Sequence, residues 1–451
     1  MGTLNVVDPS GHNKVQSDTP RPFLVSSKSA ACPSVLTANG QLQTASYFSW
    51  ASLEGILPAW QRILNENQTL SIFSTPEWLR SWWEAFGRNR RLVVLAFLDS
   101  RGNVVGIVPM SWGSAKHPVF GRLKELRLLG DGSGDSDNLD LIIQPGYEEA
   151  CVSAFLNWIA EQRNCGICSF NTLPANSLAR KLLISKLQAA SWPMRLTTTP
   201  NSLVPFPSSW ESYAEGLSPK FRRLITRSRR RADGQFQVRL RRCAHEQEIP
   251  EMLETLYVLH QKRWTSANQA GSFRSSERRH LYARMAKAFF DRGWLELWTL
   301  ELNDRPVAAQ MSFRYRDHVY GLQEGFDTDF YSHHVGHVLR AGMFEQFIQT
   351  GATSYDFLGG FNAQKQRWGA QRGEYTNLQF AIPHSLASCF LQMDKRAAES
   401  KEWLRQHLPS LAWSILHRVK LALNPAEREK NARDMEALED LEGSAQGAAI
   451  R

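Results

Sequence analysis

The stretch from Tyr331 to Gly360, YSHHVGHVLRAGMFEQFIQTGATSYDFLGG, crowds three histidines and a glycine into the place where a helix must begin. The first-turn N–H groups of a helix have no partner inside it, and the helix dipole places about half a positive charge there, so an anion is stabilised. Gly336 would let backbone and anion approach closely. His333, His334 and His337 can donate hydrogen bonds, and any protonated fraction would add charge. Two other readings of these residues stand beside this one. His333 and His337 are four apart, as zinc ligands on a helix can be, but no carboxylate or cysteine at ligand spacing accompanies them. Polar residues ahead of a helix also serve as ordinary caps.

A second signal is charge. Between Lys220 and Arg242 ten basic residues face one acid, Asp233, so this window carries the whole formal charge of +9. Phe221, Leu224 and Ile225 give it one apolar stripe, which predicts a helix over 218–233 lying on the body with its guanidiniums outward. Such a face is either merely solvated or meets an anionic partner: a nucleotide-linked sugar, lipid phosphates of the inner leaflet, or RNA. No aromatic-rich recognition module accompanies it, which argues against nucleic acid.

Other groups carry less. Cys165 and Cys168 form one CxxC without a second pair and read as buried thiols. Gly130–Ile143, GDGSGDSDNLDLII, lacks the spaced glutamate of a calcium loop and reads as a flexible loop entering a strand. Trp264, after Lys262 and Arg263, could stack on a ligand ring or pack into a domain junction. Leu408–Leu423 reads as a basic amphipathic helix for docking on the body or touching a membrane. No serine or cysteine nucleophile motif is present.

The elements that must position these residues follow from length and periodicity. At 451 residues, with 42% hydrophobic and 22% charged, the chain predicts two globular domains plus tails. The amino end has no secretory pattern, the myristoylation pattern fails at Val6, no apolar run approaches a membrane span, and six cysteines make no disulfide framework. These features predict a cytoplasmic protein. A strand-turn-strand grammar occurs twice, at Arg91–Trp112 and at Gly293–Tyr315, each time after an aromatic-anchored helix, Thr75–Gly87 and Ser275–Gly293. In the second half the predicted order is β-α-α-β-β-β-α-β-α-β. Its later helix carries Leu339, Met343, Phe347 and Ile348 on one face and ends at Gly351.

That order is similar to the GNAT acyltransferase fold. The motifs STPEWLRSWW, LSPKFRRLITRSRRRADG, LHQKRW, DRPVAAQMSF, YDFLGG and QKQRWG, from about Phe73 to Phe380, resemble the CelD-type branch linked to cellulose and exopolysaccharide synthesis, and more distantly the Fem peptidyltransferases. The resemblance implies an α+β protein of two tandem GNAT-like lobes with mixed central sheets flanked by helices. Its parts would be an arm over 1–45, lobes over 46–210 and 211–384, and a helical tail over 385–451. It implies acyl-CoA, acetyl-CoA in the simplest case, as co-substrate without a metal, with its pyrophosphate cradled by His333, His334, Val335, Gly336 and His337. Here His333-His334-Val335-Gly336 stands where the family writes aromatic-Ser-Pro-Gly, and Gly359 and Gln364 stand where it has Arg and Tyr.

Direct acyl transfer needs a base from the third strand or the turn beyond it, which makes Glu324, Asp327 and His334 the catalytic candidates. Trp264, Asp356, Lys365 and Arg367 are candidates for holding the acceptor, a small molecule or glycan from polysaccharide or envelope precursors. By analogy with the Fem relatives the lysine would grip a phosphate or acidic sugar. Asp356 alternatively holds a neighbouring loop, and Lys365 and Arg367 alternatively form a solvated face. The competing expectations are a non-catalytic scaffold of a synthase complex or the inner leaflet, and a Fem-like transferase fed by aminoacyl-tRNA.

Overall fold

The computed structural model describes residues 42–393, apart from 118–120, 163–165 and 267–270, together with residues 396 and 400. Its main elements are β1 (Gln43–Tyr47), α1 (Leu57–Glu66), α2 (Pro76–Phe86), β2 (Arg91–Leu98), β3 (Val104–His117), β4 (Gly121–Leu128), β5 (Ile142–Ile143), α3 (Glu148–Glu161), β6 (Ile167–Pro174), α4 (Leu178–Ala189), β7 (Met194–Pro205), α5 (Trp210–Gly216), α6 (Pro219–Gln235), β8 (Val238–Arg242), α7 (Ile249–Ser266), α8 (Ser276–Asp291), β9 (Leu295–Leu302), β10 (Arg305–Tyr315), β11 (His318–Phe326), α9 (Val335–Gln349), β12 (Ser354–Gly359), α10 (Ala363–Arg367) and β13 (Gln371–Ala381). From β8 onward this is the order expected from the sequence.

The repeat in the sequence becomes a repeat in pairing. Strands β2, β3 and β4 form an antiparallel meander, α3 crosses over, and β6 returns parallel to β4. Strands β9, β10 and β11 do the same, α9 crosses over, and β12 returns parallel to β11. All strands join one mixed sheet flanked by helices, in the order β1-β2-β3-β4-β6-β13-β7-β12-β11-β10-β9-β8, with β5 beside β3. The last strand, β13, lies between β6 of the first half and β7, so the two expected central sheets are continuous. Strand β1 starts at Gln43 and pairs with β2, so a strand already begins within the expected arm. Residues 1–41, Cys165 and the helix expected over 408–423 lie outside the described residues.

Local chemistry explains the joints. The Thr75 side chain accepts the Trp78 amide and Pro76 takes the first position of α2, both ordinary starting signals. The helix then buries Trp78 and Trp82. The Trp78 ring lies 6.1 Å from Phe289 of α8 and 5.9 Å from Phe313 of β10, so one indole belongs to the cores of both halves. Asn303 and Asp304 adopt positive φ in the two-residue turn between β9 and β10. Helix α7 crosses β11 so closely that a Cβ on Gly325 would sit 2.2 Å from the His260 amide nitrogen, which only glycine permits.

Candidate active site

The start of α9 is built by the turn that follows β11. Asp327 caps this turn by accepting the Asp329 amide at 3.0 Å, and its carboxylate also holds Lys262 and, at 2.5 Å, Arg305. Burial alone would push the Asp327 carboxyl up, but Lys262, the Asp329 amide and Arg305 hold it below the usual range. An expected base is thus a structural ion-pair centre, and its side chain lines neither of the cavities described below.

His334 enters α9 in the left-handed region, with φ 53°. Its amide donates to Tyr331 O, and its carbonyl accepts His337 N at 2.8 Å and Val338 N at 3.1 Å. No side chain caps the helix. The amides of Val335 and Gly336 therefore have no acceptor among the described residues, and they open on a cavity of about 390 Å³ lined by Tyr331, His334, His337 and Arg367. A Cβ on Gly336 would meet only Phe326 Cδ1, at 3.6 Å, so its side is open.

The histidines do not supply the expected charge. Burial, then His334 and Arg367, bring His337 down to about 4, where it packs against Phe221 at 5.4 Å and Trp368 at 5.8 Å. Burial, then Arg231 and His333, lower His334, which stacks on His337 at 5.8 Å. His333 bonds Gln235 Oε1 at 3.1 Å and packs on Phe236, outside the cavity. The polarity of the mouth comes from the two amides, the α9 dipole and Arg367.

Behind the mouth stands a wall that also bounds a second cavity, of about 410 Å³, between the two halves. Arg263, Gln310, Glu324, Arg340 and Gln364 line both cavities. Glu324, the first expected base, accepts Arg263 Nη1 at 2.8 Å on one oxygen and Arg340 Nη2 on the other. Each of its oxygens is engaged by a guanidinium, so it is a charge partner rather than an available base. Arg340, 5% exposed, lies over Phe357 at 5.1 Å and Trp368 at 5.5 Å, and its Nε has no partner. Gln310 Nε2 donates to the Tyr355 hydroxyl at 2.5 Å, and Gly321 leaves the space that hydroxyl fills.

Trp264 lines the second cavity, half-buried, with its indole N–H unpartnered. Lys365 lines it too, but its ammonium donates to Phe357 O, Gly359 O and Gly360 O at 3.0, 2.6 and 2.9 Å, and burial lowers its pKa. That lysine closes a turn instead of standing free for a phosphate. Asp356 is absent from this cavity. It accepts Leu358 N at 2.7 Å and Asn138 Nδ2 at 3.2 Å, holds Leu358 at φ 61°, and burial pushes its carboxyl up to about 6. Of its two readings, the geometry matches loop holding.

Sequence reasoning missed Arg340, the one cation inside an apolar helix face, and it missed the strap from Gly130. Expected as a flexible loop, this segment is fastened by Asp131 to Asn171 at 2.7 Å, Asp135 to Arg278 at 3.1 Å, Asp137 to Gly359 N at 2.8 Å and Asn138 to Tyr375 at 3.0 Å. The basic window also divides. Arg239, Arg241 and Arg242 on β8 pair with Glu301, Glu248 and Glu296, and Arg229 pairs with Glu345. Arg222, Arg223, Arg227, Arg230 and Arg231 line one exposed face of α6 with no ion pair among the described residues.

Residues 219–367 match the acetyltransferase (GNAT) domain family, and the mixed α/β fold is GNAT-like. Among solved structures, FemX superposes with a TM-score of 0.54 at 11% identity, covering 75% of this chain and 98% of that one. Looser likenesses are the C-terminal domain of a putative lysylphosphatidylglycerol synthetase from Agrobacterium fabrum (TM-score 0.45, 10% identity, 76% and 96% covered) and a tandem GNAT protein from the clavulanic acid biosynthesis pathway (0.42, 10%, 76% and 100%). No curated protein sequence matches the chain. Among the described residues no three His, Cys, Asp or Glu side chains gather as metal ligands, and no helix is long and apolar enough to cross a membrane.

Proposed function

We propose that the chain is an acyl-CoA-dependent N- or O-acyltransferase. The observation that carries this reading is the pair of unpartnered amides, Val335 and Gly336, opening on a cavity that shares a wall with a second one between the halves. The first would hold the diphosphate of acyl-CoA at the α9 N-terminus, beside Arg367. The thioester would then reach the shared wall, where an acceptor in the second cavity attacks it directly. No covalent enzyme intermediate is needed. Arg340 and Arg263 place fixed positive charge where the carbonyl oxygen becomes negative.

For the acceptor we infer a polysaccharide or cell-envelope precursor handled in the cytoplasm. The support is the resemblance of the motifs to the CelD-type branch. The second reading, a scaffold that binds acyl-CoA weakly or not at all, is favoured by one observation, the engagement of both Glu324 and Asp327 in ion pairs. Thermal unfolding with acetyl-CoA, longer acyl-CoAs and free CoA separates the two. A ligand at 100 times its Kd adds about 2.7 kcal/mol of stability, a rise of a few degrees. No shift with any of them would leave the scaffold or a transferase fed by aminoacyl-tRNA.

A further inference from the structure

Three carboxylates face the cavity between the halves: Asp135, Asp137 and Glu324. Two are already neutralised. Asp135 holds Arg278 Nε at 3.1 Å and the Tyr282 hydroxyl at 3.2 Å, and Glu324 is clamped between Arg263 and Arg340. Asp137 accepts one backbone hydrogen bond, from Gly359 N to Oδ2 at 2.8 Å, and has no ion pair among the described residues. Lys365, reaching towards it from α10, gives its hydrogens to three carbonyls. Asp356 on β12 and Asp135 on the same strap add negative charge nearby, while Arg340 faces the same cavity from α9, engaged with Glu324. The first half of the chain thus delivers one carboxylate, with one oxygen uncommitted, into a cavity whose remaining walls belong mainly to the second half.

We propose that Asp137 binds the acceptor and takes its proton, and that the acceptor is accordingly a primary amine. This rests on the acyltransferase reading above. The Lys365 charge acts on Asp137 only at a distance, and a partly desolvated carboxylate without a direct ion pair is stabilised by an ammonium through a charge-assisted hydrogen bond, which a hydroxyl cannot match. Burial also pushes the Asp137 carboxyl up, which favours its taking a proton. The ammonium gives one proton to Asp137, which passes it to solvent, and this frees the nitrogen lone pair. Attack on the thioester carbonyl forms the C–N bond and breaks the C–S bond. The second amine proton leaves with the sulfur, so the products are an amide, the CoA thiol and one proton.

The test uses the full chain with acetyl-CoA, thiol release as the readout, and two matched pairs of probes: glucosamine with glucose, and cadaverine with 1,5-pentanediol. Thiol release is expected with at least one amine and with neither alcohol. Asp137→Asn keeps an oxygen for the Gly359 amide and so preserves the strap. It should lower kcat at least 50-fold with the KM for acetyl-CoA unchanged, and Asp137→Glu should recover part of the loss. The acid limb of the kcat profile should vanish in Asp137→Asn. Equal transfer to alcohols, an undiminished kcat in Asp137→Asn, or no release with any probe while acetyl-CoA still raises Tm would overturn the assignment. If neither acetyl-CoA, a longer acyl-CoA nor free CoA raises Tm, the acyltransferase reading itself falls, and the inference with it.

Discussion

Arg340, in the second turn of α9, joins its guanidinium to the Glu324 carboxylate of β11 inside the wall between the two cavities. A cation 5% exposed requires a counter-charge, because an unpaired buried charge is strongly unfavourable. Arg340→Met should therefore destabilise the fold by about 2–4 kcal/mol, and adding Glu324→Gln should recover at least ~1 kcal/mol of it. Urea unfolding of the single and double variants measures this coupling; strictly additive losses would show that the pair does not act as a unit.

Glu324→Gln separates structure from chemistry at the same wall. Glutamine retains one oxygen for a guanidinium, so catalysis should fall by less than about tenfold, well short of the 10²–10⁴ expected on removing a general base. A thousandfold loss in kcat with unchanged stability would restore Glu324 as the base.

Two groups bias stability in opposite directions as the pH falls. His337 is held at about 4 in the fold against 6.5 when unfolded, so its contribution is present above the unfolded value and is lost as pH drops from 6.5 through 4. Asp356 is raised to about 6 against 3.8, so its burial costs stability above pH 6 and that cost is relieved as pH drops towards 3.8. His337→Gln should flatten the acid limb of the stability profile and Asp356→Asn should steepen it, each by up to ~3 kcal/mol across its window. Chemical denaturation at pH 7.5, 6, 5 and 4 reads both slopes, and the reverse order would contradict the environments described.

The divided arginine window makes a further prediction. Replacing Arg222, Arg227 and Arg230 by glutamine should lower the salt needed to elute the protein from heparin, with little effect on stability. Replacing Arg239 and Arg241 should leave elution nearly unchanged and destabilise the fold, because Glu301, 4% exposed, would lose its partners. Equal elution shifts from both sets would mean that the glutamates do not neutralise β8.

Much of this was legible in the chain. Period and turn chemistry ordered the elements from β8 to β13 and ended α9 before Gly351, because those signals are local. The strap was not legible, since its acids find Arg278, Tyr282 and Gly359 more than 140 residues away, and a run of Gly, Ser and Asp reads as flexible when its partners are unknown. The charges of β8 misled for a related reason: counted along the chain they form part of one patch, while across the sheet each faces a glutamate of β9 or of the turn before α7. Arg340 did leave a signal, an arginine within an apolar helical stripe, which should have been read as a buried cation with a partner to be found. His334 and His337 were read for their chemistry, but the fold stacks them on each other, and burial lowers the basicity of both.

The mouth of α9 can be tested by a substitution that separates fold from ligand. Gly336 occupies the second position of the helix with open space beside it, so Gly336→Asp should fold and even gain up to ~1 kcal/mol from a carboxylate on the helix dipole and from replacing glycine. The same carboxylate would sit where the diphosphate is held. Calorimetric titration with acetyl-CoA should give an affinity at least 100-fold weaker for Gly336→Asp than for the parent chain at unchanged or higher Tm. Equal affinities in the two proteins would contradict the account.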